Sequence, residues 1–227
     1  MPDGAARALD AVRGRIASAC ARSGRDPGAV ALVAVSKTFP AERVREMLAL
    51  GQTVFGENRV QEALDKIPLV GAGASWHLVG HLQSNKAKRA VGTFDLIHSV
   101  DGADLAREID RRAAERGIVQ PVLVQVNLSR EATKSGAAEE ETAALLEALA
   151  SLPHLDLRGL MTIPPPAEDA EEVRPWFAAL RELRDRAEPL LGRKLPDLSM
   201  GMTDDFEVAV EEGSTLIRVG RALFGER

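Results

Sequence analysis

The stretch Ala31-Leu-Val-Ala-Val-Ser-Lys37-Thr-Phe-Pro40 decides how the rest of the chain is interpreted. Its first five residues are aliphatic and uncharged, which is typical of a parallel strand buried on both faces. Pro40 then begins a new segment. Because proline has a backbone angle suited to the first helical turn, and lacks the donor that this turn leaves unused, we predict a helix over residues 41–50. Lys37 therefore lies at the end of a strand.

The same strand-then-helix unit recurs along the chain. Further strands are predicted at 52–55, 76–79, 94–100, 121–126, 155–161, 197–199 and 214–219, and an amphipathic helix over 5–22 precedes the first strand. Eight such repeats predict one (β/α)8 barrel domain spanning residues 1–227, with an extra N-terminal helix. The alternative, an open doubly wound sheet, would carry Gly-x-Gly-x-x-Gly after its first strand, and this fingerprint is missing.

Composition excludes several classes of function. The formal net charge is −5 and aromatic residues make up 4%, which argues against a dedicated nucleic-acid binder with a basic field and stacking surfaces. The N-terminus has no positive-then-apolar leader, and no apolar run is long enough to cross a bilayer. The single cysteine, Cys20, cannot form an internal disulfide. We therefore expect a cytoplasmic protein that does not bind membranes.

In a (β/α)8 barrel, the residues that follow each strand converge on one face, where chemistry is done. Two of these loops suit an anion: Ser199-Met200-Gly201 with the residues up to Asp204, and Gly220-Arg221. Phosphate sites between the seventh and eighth loops recur in such barrels. A strand-end lysine opposite a phosphate site fits a phosphorylated aldehyde that forms an imine with the amine. Pyridoxal 5′-phosphate is the obvious candidate.

Other chemistry-bearing residues have a less specific interpretation. His77 and His81 are four residues apart, as in a helical zinc pair, but Gly80 and the surrounding sequence place them on strand and loop, so we expect no metal site. Lys134 lies in the polar loop 127–136, where one interpretation is a second amine that receives or relays the aldehyde; the simpler interpretation is an exposed loop lysine.

Several long motifs in order resemble the pyridoxal phosphate homeostasis protein family. They extend over almost the whole chain and comprise Val33-Ala-Val-Ser-Lys-Thr38, Phe55-Gly-Glu-Asn-Arg-Val-Gln-Glu62, Trp76-His-Leu-Val-Gly-His-Leu-Gln-Ser-Asn-Lys86, Gly159-Leu-Met-Thr-Ile-Pro164, Leu198-Ser-Met-Gly-Met-Thr-Asp204 and Ile217-Arg-Val-Gly220. The resemblance implies a fold similar to the N-terminal barrel of alanine racemase. It also implies a protein that buffers or delivers pyridoxal phosphate inside the cell, without settled catalytic turnover.

The resemblance also assigns roles to residues. It makes Lys37 the imine-forming lysine, places Asn58 near the cofactor ring, and sets Arg218 opposite the pyridine nitrogen. It places the phosphate against Ser199, the backbone of Met200 and Gly201, and the backbone of Gly220 and Arg221. A fixed positive charge at Arg218 disfavours protonation of the ring nitrogen, which suits holding the cofactor better than transforming amino acids.

One residue departs from the pattern, because relatives usually carry a small hydroxyl residue where this chain has Arg221. The guanidinium either reaches the phosphate or points to solvent, and we expect a modest effect.

A weak amino-acid racemase is the alternative function. Racemases of similar fold use a tyrosine from a further C-terminal domain, supplied across a dimer, and this chain contains no tyrosine. We expect a monomer that binds pyridoxal phosphate, with apo forms of pyridoxal phosphate enzymes as hypothetical recipients.

Overall fold

A computed structural model of the protein describes residues 2–131 and 135–225, and in these ranges eight parallel strands close into one barrel. Each strand pairs with the next along the chain, and the eighth pairs with the first, so the sheet has no open edge. The strands are β1 Ala31–Val35, β2 Val54–Glu57, β3 Ser75–Leu78, β4 Leu96–Val100, β5 Gln120–Val126, β6 Leu155–Thr162, β7 Asp197–Ser199 and β8 Leu216–Val219. The predicted (β/α)8 barrel is confirmed.

The helices surround the barrel and follow the strands in turn. Within the described ranges they are α1 Pro2–Ser23, α2 Ala41–Ala49, α3 Val60–Val70, α4 Ala87–Ala90, α5 Ala103–Arg116, α6 Glu139–Ala150, α7 Arg174–Leu191, α8 Phe206–Glu211 and α9 Arg221–Phe224. The extra helix α1 packs against α2, α8 and α9 through its predicted apolar face, where Leu9, Val12 and Ile16 are buried. Among these helices none is long and apolar enough to cross a bilayer.

The apolar side chains form two separate cores, because successive side chains of a barrel strand point alternately inward and outward. The outward residues, such as Leu32 and Ala34 of β1, pack with the helices in one large cluster. The inward apolar residues form a second, smaller cluster made of Val33, Val35, Val79, Leu96, Leu123, Met161 and Leu216. The barrel interior is therefore a packed core, and the site lies above it at the carboxyl ends of the strands.

The structure corrects several local predictions. Strands β4 and β8 begin two residues later than predicted, at Leu96 and Leu216. Strand β2 begins at Val54 rather than at residue 52, because the Gln52 side-chain amide donates 2.7 Å bonds to the carbonyls of Leu32 and Val54.

Two further differences concern helices. The sequence pattern predicts a helix over 85–91, and the structure has a 3₁₀ turn, Ser84–Lys86, followed by the short α4. The pattern also predicts Asp101 as the cap of α5, but Gly102 holds the cap position and the Asp101 carboxylate lies 3.3 Å from Nδ1 of His81.

Candidate functional site

A cavity of about 600 Å³ opens at the carboxyl ends of the strands and contains Lys37. Strands β1 and β8 are paired with Ala34 opposite Val219, so their ends lie side by side. This pairing brings Lys37, which follows β1, to the same cavity as Arg218 and Gly220 of the β8 end. Apolar side chains, among them Phe39 and Ile163, also line it. Mostly apolar walls with a few convergent polar groups are typical of a small-molecule site.

The structure brings five of the eight predicted site residues to this cavity, namely Lys37, Asn58, Arg218, Gly220 and Arg221. The other three, Ser199, Met200 and Gly201, do not line it, and the next residues of the same loop, Met202, Thr203 and Asp204, do. The predicted loop therefore reaches the cavity with a different set of residues.

Ser199, a predicted phosphate contact, lies at the end of β7 inside the barrel. Its side chain points inward from β7 and is fully buried. Its hydroxyl accepts a 2.6 Å hydrogen bond from Nη1 of Arg218 and lies 2.8 Å from Nδ1 of His98. Strand alternation is the reason, because it points Ser199 and Arg218 to the same interior. The hydroxyl supports Arg218 from below.

Met200 and Gly201 form the turn that carries the loop over to α8. Met200 is fully buried in the outer core. Gly201 has φ +93°, and a Cβ there would lie 2.6 Å from the Cβ of Ala209 and 2.9 Å from the Cα of Phe206. Only glycine fits this turn without strain. The turn orients Thr203, half-buried, towards the cavity.

Arg218 is a buried cation at the base of the cavity. Nη2 donates a 2.9 Å bond to the carbonyl of Thr162, in addition to the bond from Nη1 to Ser199. Burial lowers the pKa of the guanidinium to about 10, and the Asp205 carboxylate partly offsets this. Arg218 therefore remains charged at neutral pH, and its position is determined by two acceptors.

Two histidines continue the polar contacts below Arg218. Nε2 of His98 lies 3.0 Å from Nδ1 of His77, and the rings are both buried. Burial lowers the pKa of His77 to about 4, and burial with the nearby charge of Arg218 lowers the pKa of His98 well below its usual range. Both rings are neutral at pH 7. His98 was not predicted as a site residue, although a polar residue on the inward register of β4 was a signal for it.

His77 and His81 have different neighbours in the structure. His77 points into the barrel towards His98, whereas His81 lies at the rim beside Asp101. Within residues 2–131 and 135–225, no group of three or more His, Cys, Asp or Glu side chains is arranged to hold a metal ion. Lys134, the predicted second amine, lies outside the described residues.

Arg221, the departure noted in the sequence, is held at the cavity mouth. Its Nη2 donates to the carboxylate of Asp204, which follows Thr203 in the same cavity-lining loop. Both side chains are largely exposed, so solvent screens this pair. The guanidinium lies at the edge of the cavity and is shared with an acidic neighbour.

A second, smaller cavity of about 210 Å³ adjoins the first and shares Asn58, Val79 and Ile163 with it. Asn58 is placed at this boundary by a close contact of two loops. A Cβ on Gly80 would lie 2.3 Å from the carbonyl oxygen of Asn58, so the backbones after β2 and β3 approach each other as only glycine permits. The predicted position of Asn58 near the cavity thus depends on Gly80.

Comparisons with known proteins agree with this geometry. The family described as "Alanine racemase, N-terminal domain" matches residues 8–227. The pyridoxal phosphate homeostasis protein of Aquifex aeolicus (strain VF5) is 49% identical over 220 residues, which is 96% of each chain.

Solved structures give the same result at two levels of similarity. The PipY protein of Synechococcus elongatus PCC7942, solved with PLP bound, is 43% identical with a TM-score of 0.84, and the match covers 94% of this chain and 100% of that one. An alanine racemase of Clostridium difficile 630 has a TM-score of 0.75 at 16% identity, covering 99% of this chain and 57% of that one, and so shows the fold alone. The chain belongs to the alanine racemase N-terminal domain family and, within it, to the pyridoxal phosphate homeostasis proteins.

Proposed function

We propose that this protein binds pyridoxal 5′-phosphate through Lys37 and takes part in the homeostasis of that cofactor. One observation carries the proposal: Lys37 and the buried cation Arg218 line the same cavity of about 600 Å³. Thr203 and the turn at Gly220-Arg221 line this cavity as well. The cavity volume lies in the range of small-molecule sites. The PipY relative, 43% identical, was solved with PLP bound.

In this proposal Lys37 holds the aldehyde end of the cofactor. Its amine would be the group that holds the aldehyde carbon covalently, with loss of one water molecule. Bound in this way, the cofactor supplies an electron-withdrawing ring. Arg218 would face the pyridine nitrogen, with Asn58 near the ring. Because Arg218 carries a fixed positive charge, it disfavours a proton on that nitrogen and weakens the ring as an electron sink.

The phosphate end is proposed to lie against the loop 199–204 and the turn at Gly220-Arg221. The Ser199 hydroxyl already has Arg218 and His98 as partners, so we assign the hydroxyl contact to Thr203, which lines the cavity. Ser199, Met200 and Gly201 then shape the loop and support Arg218. A phosphate oxygen binds best to several donors at once, and Arg221 is one of those at the mouth.

Storage or delivery of the cofactor is favoured over amino-acid racemisation. The Aquifex aeolicus protein is 49% identical over 96% of each chain, whereas the alanine racemase is 16% identical and shares the fold alone. Racemisation moves a proton between opposite faces of a substrate and needs two positioned groups; the sequence has no tyrosine for the second. We further propose that the protein is a monomer, since the cavity lies within one chain. We also propose that it is located in the cytoplasm, and that apo-enzymes that use pyridoxal phosphate are its recipients.

The test is to locate the adduct. The purified protein is incubated with pyridoxal phosphate, its visible spectrum is recorded, and borohydride reduction is followed by peptide mass mapping. We expect an imine band and a pyridoxyl group on Lys37, both lost in Lys37→Ala and retained in Lys194→Ala, an exposed lysine distant from the cavity. Absence of an adduct on Lys37 in the unaltered protein would overturn the proposal. Alanine racemisation at ordinary enzymatic rates would favour the alternative.

A further inference from the structure

A buried lysine, Lys66, contacts the backbone of the residue before Lys37 and does not line the cavity. Lys66 of α3 is 6% exposed, and its Nζ donates three hydrogen bonds: 2.8 Å to the carbonyl of Ser36, 2.5 Å to Oε1 of Glu57 and 3.0 Å to Oε1 of Glu62. An ammonium group has three hydrogens, so this geometry gives each of them one acceptor. A long, flexible side chain is thus held in a single arrangement.

These bonds pin the backbone on both sides of Lys37. On the preceding side, Lys66 binds the carbonyl of Ser36, and the Ser36 hydroxyl donates a 2.7 Å bond to the same Oε1 of Glu57. On the following side, the amide of Thr38 donates a 2.5 Å bond to the same Oε1 of Glu62 that Lys66 binds. One ammonium group therefore ties together the residues immediately before and after Lys37.

The backbone at this point needs such support. Thr38 has φ +69°, in the left-handed region that is unfavourable for a β-branched residue. A residue held there indicates that the surrounding contacts over-determine its conformation. The turn has its own backbone bond, 3.0 Å from the amide of Phe39 to the carbonyl of Ser36, and the contacts of Glu62 and Lys66 add side-chain bonds to its first and third residues.

The carboxylate of Glu57, one of the partners of Lys66, is buried, and burying its charge costs free energy. Glu57 is fully buried at the end of β2, and its second oxygen, Oε2, has no hydrogen-bond partner among the residues that the structure describes. Desolvation raises the pKa of this carboxyl group, and Lys66 and Ser36 oppose the rise. Buried ion pairs contribute little net stability compared with apolar residues of similar size, so stability alone is a poor reason for this one.

We propose that Lys66 is a positioning residue for Lys37, which acts with Glu62 and Glu57 to hold segment 36–38 so that the Lys37 amine enters the cavity in the geometry for imine formation. The inference rests on the proposed function, since it concerns the same amine. Misplacement of a reacting group by about 1 Å can reduce a reaction by about 100-fold. Lys66 lies behind the backbone and, in this proposal, contributes no atom to the imine.

The experiment compares variants by their affinity for pyridoxal phosphate and by the pH midpoint of the imine band. Lys66→Met removes the ammonium group, and Lys66→Met with Glu57→Gln removes the whole buried pair, so that no lone buried charge prevents folding. Glu62→Leu removes the acceptor for the amide of Thr38, whereas the separate variant Glu62→Gln keeps an acceptor oxygen at this position. Leu146→Ala, a fully buried position on α6, controls for general loss of stability.

We expect the double variant and Glu62→Leu to weaken binding about tenfold or more and to shift the pH midpoint, with Glu62→Gln close to the unaltered protein. Leu146→Ala should lower the melting temperature and leave both binding quantities unchanged. Unaltered affinity and midpoint in the folded double variant and in Glu62→Leu would overturn the positioning role. If instead the unaltered protein forms no adduct on Lys37, the proposed function itself fails, and this outcome is distinct.

Discussion

Nη1 of Arg218 lies 2.6 Å from the hydroxyl of Ser199, inside the barrel and below the cavity that contains Lys37. A serine at the end of a barrel strand, in a loop suited to a phosphate, has a cation as its nearest partner. Because a guanidinium only donates, the Ser199 oxygen accepts a hydrogen bond from Arg218, and its own hydroxyl can donate one to Nδ1 of His98. The site thus has a buried polar layer that contacts its cation, and above it a layer of residues that line the cavity.

This division predicts different effects for two hydroxyl residues. Ser199→Ala should lower the free energy of unfolding by about 1–3 kcal/mol, because it leaves buried donors and acceptors without a partner. We define the phosphate ratio as the dissociation constant of pyridoxal divided by that of pyridoxal phosphate, so that it measures the contribution of the phosphate. Ser199→Ala should leave this ratio unchanged. Thr203→Val should lower the ratio by roughly tenfold, because it removes a hydroxyl from the cavity wall.

Titration of both variants with the two ligands, together with urea unfolding, measures these quantities. A collapse of the ratio in Ser199→Ala with no change in Thr203→Val would return the phosphate contact to Ser199.

Asp204 is predicted to restrain phosphate binding. Its carboxylate binds the Arg221 guanidinium at the cavity mouth and also places a negative charge near the proposed phosphate. Asp204→Asn should therefore tighten binding of pyridoxal phosphate a few-fold at low salt, and the gain should shrink as ionic strength rises. Pyridoxal, which has no phosphate, serves as the control ligand. Equal gains for the two ligands would show that Arg221 and Asp204 do not act on the phosphate.

Gly80 is predicted to be required for the position of Asn58. A Cβ at residue 80 would meet the backbone of Asn58 at 2.3–2.9 Å, which no flexible side chain can relieve. Gly80→Ala should destabilise the protein by about 2 kcal/mol or more and weaken cofactor binding. Gly14→Ala is the matched control: Gly14 is exposed on α1 with nothing within 4 Å of an added Cβ, and alanine there should stabilise by up to about 1 kcal/mol. Thermal unfolding and ligand titration distinguish the two, and a harmless Gly80→Ala would refute the close contact.

His77 is predicted to make the protein less stable in mild acid. Its pKa is about 4 in the folded protein and near 6.5 when exposed, so between these values the unfolded chain binds more protons. Stability from this group is therefore complete above pH 6.5 and is lost as the pH falls, by about 2 kcal/mol between pH 7 and pH 5.

His77→Gln should reduce that loss, since glutamine does not titrate and keeps an acceptor for His98. Urea unfolding at pH 7 and pH 5 provides the measurement. Glu57 and Asp205, whose pKa values are raised by burial, have the opposite pH dependence, and they cancel in the comparison because both proteins contain them. An identical loss in both proteins would show that His77 does not carry the effect.

The barrel could be predicted from local patterns, because hydrophobic periodicity is a local property and eight strand-helix repeats leave one closed arrangement. The sequence by itself also determined that Lys37 ends a strand. Strand boundaries were less certain, since a side chain such as Gln52 competes with the backbone for the first hydrogen bonds of β2.

The residues of each loop that line the cavity could be identified only from the folded structure. Whether Ser199 points into the barrel or above it depends on strand register, which no local pattern fixes. The contact of Lys66 with Ser36, and of Glu62 with Thr38, joins α3 to the end of β1 across more than twenty residues. Such contacts arise when helices pack on the barrel, so the amine was visible in the sequence but the residues that hold it were not.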